Sequence, residues 1–172
     1  MFLNYLKNLF TKKIVKNSLS NAKHNAPESK IRTVGIILDE SYFYGKDALV
    51  AELIQRGIGA SEVKVLVFKN KVRKNEVFDY PVFSHRDLSW RATFSNSDVK
   101  DFIETDFDLL LNYYDTEKSA LLIVSNLSAA KFKVGFASVD TKLNHFMIGT
   151  TAEDYKIFME ELFKYLVILN KL

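Results

Sequence analysis

The feature of this sequence that most constrains its fold is an alternation of short apolar runs with segments of helical periodicity. Residues 33–38 form an almost continuous apolar run, which is typical of a strand buried on both faces. Residues 46–56 then carry apolar side chains at helical spacing and are followed by Gly57, a residue suited to a C-terminal cap. Residues 63–68 form a second apolar run. A strand, a helix and a strand in this order predict a parallel crossover unit.

The rest of the chain continues this alternation less evenly. Further strands are predicted at residues 108–113 and 131–136, and Pro81 restricts residues 78–83 to an edge strand or a loop. Residues 141–148 fit neither pattern clearly. A helix is predicted over residues 98–104 with Ser97 as its N-cap, and another from the cap Thr116 to about Leu127. A C-terminal helix is predicted to open with a capping box of Thr150 and Glu153. We therefore expect an α/β fold, a three-layer Rossmann-like sandwich around a mostly parallel sheet, in one domain over residues 30–172.

Positive charge is concentrated at the N-terminus. The first 27 residues hold five lysines and no acid, whereas the whole chain sums to +3, so the other 145 residues sum to −2. Apolar residues recur here at helical steps and form a stripe, and three of the lysines, Lys12, Lys13 and Lys16, lie mainly off it. The stripe consists of Leu3, Leu6, Phe10 and Ile14, with Phe2 and Leu9 beside them. Residues 18–29 are polar and read as a linker. Residues 1–29 are therefore predicted to be a basic amphipathic helical arm with its linker.

A basic amphipathic helix has several uses, which the sequence leaves open. It can bind the phosphates of RNA, as on a ribosome, the inner face of a membrane, or a groove on a protein partner. The residues expected to contact an anionic surface are Lys7, Lys12, Lys13 and Lys16. In the alternative interpretation the apolar stripe packs on the protein's own body and the lysines merely face water.

The composition excludes several classes of protein. With no cysteine, the chain has no disulfide, no zinc–thiolate site and no cysteine nucleophile, which fits a cytoplasmic location. No apolar run approaches the roughly 20 residues of a membrane span, and no secretory signal is recognisable. The sequence contains no glycine-rich phosphate-binding motif after a strand and no GxSxG elbow. No cofactor is therefore indicated.

One candidate crevice follows from the topology, because ligands of open parallel sheets bind at the carboxyl ends of the strands. Asp39, Glu40 and Ser41 follow one predicted strand, and Asp115 follows another. If the two strands are neighbours, the carboxylates can share a crevice that holds magnesium or performs acid–base chemistry. The alternative is that these residues cap helices and face solvent.

The remaining candidates are single residues and one helix. The three histidines lack partners at metal-ligand spacing, and His145 is expected to pack and form hydrogen bonds. Trp90, flanked by Arg86 and Arg91, can offer a stacking surface or anchor an irregular segment. The C-terminal helix is apolar around most of its last turns, which favours burial in the core or against a partner or second subunit.

Three segments carry a resemblance to a known family: Asp108–Asp115 (DLLLNYYD), Lys131–Phe136 (KFKVGF) and Leu143–Ile148 (LNHFMI). With the lysine-rich start and residues 75–81, they resemble short uncharacterised bacterial proteins of the Bacteroidota type that share a domain of unknown function. The resemblance implies a bacterial cytosolic protein and brings no activity or site residues.

A fainter likeness, to the N-terminal half of heptosyltransferase-type glycosyltransferases, concerns the fold. The chain has no residues for their second domain, and Leu38–Ser41 stands where their Gly-Asp motif would be. The sequence thus favours a non-catalytic binding or adaptor protein in the cytoplasm, or at the inner membrane if the arm binds lipid. The alternative is a small-ligand-binding or transferase-like enzyme with its site at the strand ends.

Overall fold

The computed structural model describes residues 30–73 and 75–172, and the predicted arm at residues 1–29 lies outside them. Within this part of the chain the strands are β1 Val34–Asp39, β2 Val63–Phe68, β3 Val82–Phe83, β4 Leu109–Tyr113, β5 Phe132–Phe136 and β6 Phe146–Ile148. The helices are α1 Lys46–Gln55, α2 Ser97–Glu104, α3 Ser119–Leu127 and α4 Tyr155–Ile168. Two 3₁₀ turns lie at Ala60–Glu62 and Thr141–Leu143.

The six strands form one sheet in the order β3-β2-β1-β4-β5-β6, and every neighbouring pair is parallel. The predicted α/β class and parallel sheet are therefore confirmed, and the doubtful segment 78–83 contributes only the two-residue edge strand β3, directly after Pro81. Strand β1 pairs with β2 on one side and β4 on the other. The strand order reverses between β1 and β4, so this is the point where ligand sites form in such sheets.

Helices cover both faces of the sheet. On one face α1 and α4 pack against alternate residues of β1 in a core that includes Val34, Ile36 and Leu38. On the other face α2 and α3 pack in a second core that includes Ile37. Every residue of β1 is buried, which explains why its sequence is a continuous apolar run rather than an alternating one.

Helix α3 begins later than its sequence predicts. The predicted cap Thr116 lies outside the helix, and Lys118 occupies the N-cap position without a side-chain capping bond. The reason is tertiary. The backbone carbonyl of Asp115 accepts a bond from Ser138 Oγ at 2.9 Å, and a Glu117 carboxylate oxygen accepts one from a backbone N–H at 3.1 Å. These contacts hold the segment before α3 outside the helix, with Lys118 in an extended conformation.

The starts of α2 and α4 also differ from the prediction. In α2 the cap is Asn96, whose side chain accepts from Asp98 N, and the predicted cap Ser97 is the first helical residue. Helix α4 begins at Tyr155 with Asp154 as N-cap and no side-chain capping bond, so the predicted capping box of Thr150 and Glu153 is wrong. The backbone N–H of Ala152 donates instead to Asp115 Oδ2 at 3.0 Å. This contact keeps the segment before α4 in a turn that is longer than the sequence predicts.

A buried polar network fixes α3 to the sheet. Ser125 of α3 donates to Asn112 Oδ1 on β4 at 2.7 Å, and Tyr114 OH lies 2.6 Å from the same serine oxygen. Asn112 in turn donates to Asn144 Oδ1 at 2.7 Å. Gly135 makes room for this amide, since a Cβ there would lie 2.6 Å from Asn144 Nδ2. These buried hydrogen bonds join α3 to β4 and so help to set the position from which Lys118 projects, although Asn144 Nδ2 has no hydrogen-bond partner among the described residues.

Asp108 joins the amino ends of β1 and β4. Its Oδ2 accepts from the backbone N–H groups of Arg32 and Thr33, both at 3.0 Å, and from Thr33 Oγ1 at 3.1 Å. Lys131 Nζ donates to the other oxygen at 3.0 Å. Burial alone would raise the pKa of Asp108, but the bonds from Thr33, Lys131 and Arg32 outweigh it and lower the pKa to about 2.

We expect Asp108→Asn to destabilise the fold by about 1–2 kcal/mol at pH 7, because an amide cannot replace a carboxylate that accepts these bonds. The folded pKa of about 2 lies below the ordinary 3.8, so the contribution of Asp108 is complete above pH 4–5 and is lost as the pH falls towards 2. Urea unfolding at pH 7 and pH 2.5 measures both effects. The difference in unfolding free energy between wild type and variant should be smaller at pH 2.5 than at pH 7.

Asp106→Asn is the matched control, since Asp106 is 66% exposed and shares only the 3.4 Å contact with Lys131. It should change the unfolding free energy by less than about 0.5 kcal/mol. Equal effects of the two substitutions would contradict an anchoring role for Asp108.

Candidate functional site

The two sets of candidate residues differ in what the structure describes. The predicted surface-binding lysines, Lys7, Lys12, Lys13 and Lys16, fall outside the described residues. The described body begins at the amino end of the sheet, where Ile31 N donates to Lys171 O at 2.8 Å beside the end of α4. The predicted crevice residues follow the carboxyl ends of β1 and β4, at the other end.

Lys118 connects the loops after β1 and β4 at the point where the strand order reverses. Its Nζ lies 2.5 Å from Asp39 Oδ2 and 2.9 Å from Ser41 Oγ. Asp39 is nearly buried, and its other oxygen accepts from Ser41 N at 2.9 Å. The carboxylate, hydroxyl and ammonium groups therefore form one compact cluster that closes the middle of the carboxyl edge.

Aromatic rings complete the surroundings of Lys118. Its Nζ lies 5.0 Å from the ring centroid of Tyr42 and 4.9 Å from that of Phe68, distances at which a cation is attracted to a ring face. Phe68 also meets the ring of His85 edge-on at 4.9 Å between centroids. Tyr42 is 62% exposed, whereas the Lys118 side chain beneath it is 11% exposed.

Glu40 points into a different cluster. Its two carboxylate oxygens lie 2.7 Å from Lys46 Nζ and 3.2 Å from Lys69 Nζ, and Lys69 also contacts Glu76 at 2.6 Å. Burial would raise the pKa of Glu40, but the two lysines lower it overall. The carboxylate is therefore ionised at neutral pH and is no general acid. A cleft of about 140 Å³ adjoins the cluster, and Phe78 lies under Lys69.

Asp115 turns towards the opposite half of the sheet. As described above, its carboxylate accepts a hydrogen bond from Ala152 N, in the loop after β6. Its carbonyl accepts one from Ser138 Oγ, in the loop after β5. The structure thus brings together Asp39 and Ser41 of the predicted set, and gives Glu40 and Asp115 separate partners. No group of three or more metal-ligating side chains occurs within residues 30–73 and 75–172. Magnesium binding or acid–base chemistry at a shared crevice stays a prediction.

The sequence predicted the carboxylates of this edge but not Lys118, the lysine that joins Asp39 to Ser41. A signal was present, because Lys118 stands immediately before α3, where the helix dipole disfavours a cation. A lysine at such a position implies a carboxylate partner elsewhere in the fold. Nothing in the sequence identifies Asp39 rather than Glu40 as that partner.

Trp90 and His145 are also defined by the structure. Trp90 is 69% exposed, and the Arg91 guanidinium lies 4.7 Å from its ring centroid. The loop is closed by the hydrogen bond from Ser89 N to Thr93 O. One face of the indole is thus already covered by an arginine.

His145 Nδ1 accepts a hydrogen bond from Lys133 N at 3.0 Å, in keeping with a packed, hydrogen-bonded role.

The chain belongs to a family of unknown function, DUF6913, whose model matches residues 7–169. The family model therefore spans the described body and most of the predicted arm, including all five of its lysines. A search of functionally curated proteins found no match to the chain. In the part of the chain that the structure describes, no helix is long and apolar enough to cross a membrane.

We expect Lys118→Met to cost about 3 kcal/mol of unfolding free energy, because it leaves the Asp39 carboxylate buried without a cation. The double variant Asp39→Asn with Lys118→Met should recover most of this loss, since the uncompensated charge is removed. Denaturant unfolding of the two single variants and the double variant measures the coupling.

Lys164→Met serves as the control, because Lys164 is 56% exposed and pairs only with Glu161 on its own helix at 3.2 Å. Its expected effect is below about 0.5 kcal/mol. Strictly additive effects of the Asp39 and Lys118 substitutions would show that their ion pair does not hold the carboxyl edge together.

Proposed function

We propose that this protein is a non-catalytic binding or adaptor protein whose lysine-rich arm docks the body on an anionic surface. The observation that carries the proposal is the segregation of charge. The first 27 residues hold five lysines and no acid, and the remainder sums to −2. The family match begins at residue 7, so these lysines belong to the unit that the family shares.

The body supports a binding role rather than catalysis. At the carboxyl edge of a parallel sheet, catalytic groups need free proton-transfer or ligand positions. Here Asp39 is paired with Lys118, and Glu40 with Lys46 and Lys69. These carboxylates already serve internal ion pairs that join neighbouring loops.

The candidate surfaces are RNA, for example on a ribosome, the inner face of a membrane, and an acidic protein partner. They differ in their response to salt and to nuclease. Four lysines on RNA phosphates give an affinity that falls about 50-fold between roughly 50 and 200 mM salt. Binding to a bilayer keeps an apolar contribution that salt does not weaken.

The test is a pull-down with three full-length proteins, eluted with a salt gradient. They are the wild type, an arm variant with Lys7, Lys12, Lys13 and Lys16 changed to Gln, and a matched control in which the exposed Lys71, Lys100, Lys142 and Lys156 are changed to Gln. We expect the wild type and the control to retain the same material, and the arm variant to lose it.

Nuclease treatment of the retained material then distinguishes RNA from lipid and protein. Retention that is the same for the arm variant and the wild type would sink the proposal, because it would place the binding outside the arm. If the arm variant and the control lost the retained material equally, the proposal would also be contradicted. The binding would then depend on the net charge of the protein and not on the lysines of the arm.

The second candidate function is a small-ligand binder or transferase-like enzyme with its site at the strand ends. The cluster of Asp39, Ser41 and Lys118, where the strand order reverses, favours it. There Lys118 offers a fixed cation beside the hydroxyl of Ser41 and the exposed ring of Tyr42. Such a group suits a small phosphorylated or carboxylated ligand.

Thermal unfolding in the presence of a panel of such small anions tests this candidate. A genuine ligand at about 100 times its Kd should raise the Tm of the wild type by roughly 5 °C or more. Ser41→Ala and Tyr42→Ala, which keep the Asp39–Lys118 pair, should reduce the rise. A panel with no effect, or an equal effect on these variants, would remove the candidate.

A further inference from the structure

The C-terminal end of α4 exposes an unusual concentration of apolar side chains. The α4 apolar patch consists of Val167, Ile168, Leu169 and Leu172, with exposed fractions of 64%, 65%, 46% and 41%. The last turn of the helix has no basic residue, although the helix dipole favours one there. Scattered apolar residues are normal on a protein surface, but a contiguous group marks an interaction surface.

The described chain begins beside this patch. Lys30 Nζ donates to Asn170 Oδ1 at 3.2 Å and also to the carbonyl of Leu172. The next residue, Ile31, is buried, and its N–H bonds to Lys171 O at 2.8 Å. The 29 residues that precede Lys30 are therefore tethered within the same cluster of residues that forms the patch.

We propose that the apolar stripe of the arm packs on the α4 apolar patch of the same chain. The stripe consists of Leu3, Leu6, Phe10 and Ile14, with Phe2 and Leu9 beside them. The linker of residues 18–29 can span up to roughly 40 Å when extended, at about 3.3 Å per residue. Helix α4, with 14 residues, is only about 21 Å long. The linker therefore allows the predicted helix to lie anywhere along α4.

The tether favours this segment over a second copy of the chain as the occupant of the patch. A linker of this length gives an effective concentration in the millimolar range. A second copy has to compete from solution at its own, much lower concentration.

The packing would cover the apolar side of the arm. In a regular helix Lys12 and Lys16 fall on the other side and would face outwards, available to phosphates or other anions, whereas Lys7 and Lys13 fall at the edges of the stripe, beside Ile14 and Leu6. Insertion of the stripe into a bilayer would require it to leave α4. The inference goes beyond the proposed function and stands whether or not the lysines bind a surface.

The absence of cysteine makes the proposal directly testable in the full-length chain. Ile168→Cys is combined in turn with a cysteine at each stripe position, and with Lys12→Cys or Lys16→Cys as controls. Disulfides require Cα atoms within about 7 Å. Dilute protein is oxidised under native conditions, and intramolecular bonds are followed by non-reducing electrophoresis and peptide mapping, after thermal unfolding of each reduced variant confirms a native fold.

We expect at least one stripe position to form the intramolecular disulfide at least tenfold faster than either lysine position. A further control pairs the same stripe cysteine with Lys100→Cys on α2, which covers the opposite face of the sheet, and should react slowly. Similar rates at stripe and lysine positions would overturn the proposal, because the arm would then be moving freely. Dimers linked through Ile168→Cys in the single variant would also overturn it in favour of a second copy.

Discussion

The ion pair between Asp39 and Lys118 joins the loops after β1 and β4 in the middle of the carboxyl edge, where the strand order reverses. Asp39 ends β1, and Lys118 stands before α3. The buried network of Ser125 and Asn112 fixes α3 on β4 and thereby aims the lysine. A carboxylate this deeply buried is tolerated only with a cation and hydrogen bonds around it. The position where related architectures place a ligand is therefore occupied here by the protein's own charges.

The fold could be predicted largely from residue patterns, because buried parallel strands need apolar side chains on both faces. Residues 33–38 and 63–68 satisfy that need without help from distant residues, so their strands are visible in the sequence. The helix starts were harder to predict. The segments before α3 and α4 are held by Asp115, Ser138 and Ala152, which meet only in the folded chain. Local capping rules cannot anticipate bonds of this kind.

In the candidate site, too, the positions of the residues could be predicted from the sequence, whereas their partners could not. Topology alone placed Asp39, Glu40, Ser41 and Asp115 at one edge, since the carboxyl ends of parallel strands meet there. Which carboxylate meets which cation depends on side-chain directions that the sequence does not encode locally. The structure sends Glu40 towards Lys46 and Lys69, and Asp115 towards the loop before α4.

The binding function that we propose depends on the lysines of the arm and not on the carboxyl edge of the sheet. The most direct measurement is the change in backbone amide chemical shifts of the full-length protein when polyphosphate, a simple polyanion, is added. We expect the largest shifts at Lys7, Lys12, Lys13 and Lys16, with residues 39–41 and 115–118 unchanged. Shifts that are largest around Ser41 and Lys118 would contradict it and would place the functional site at the carboxyl edge of the sheet.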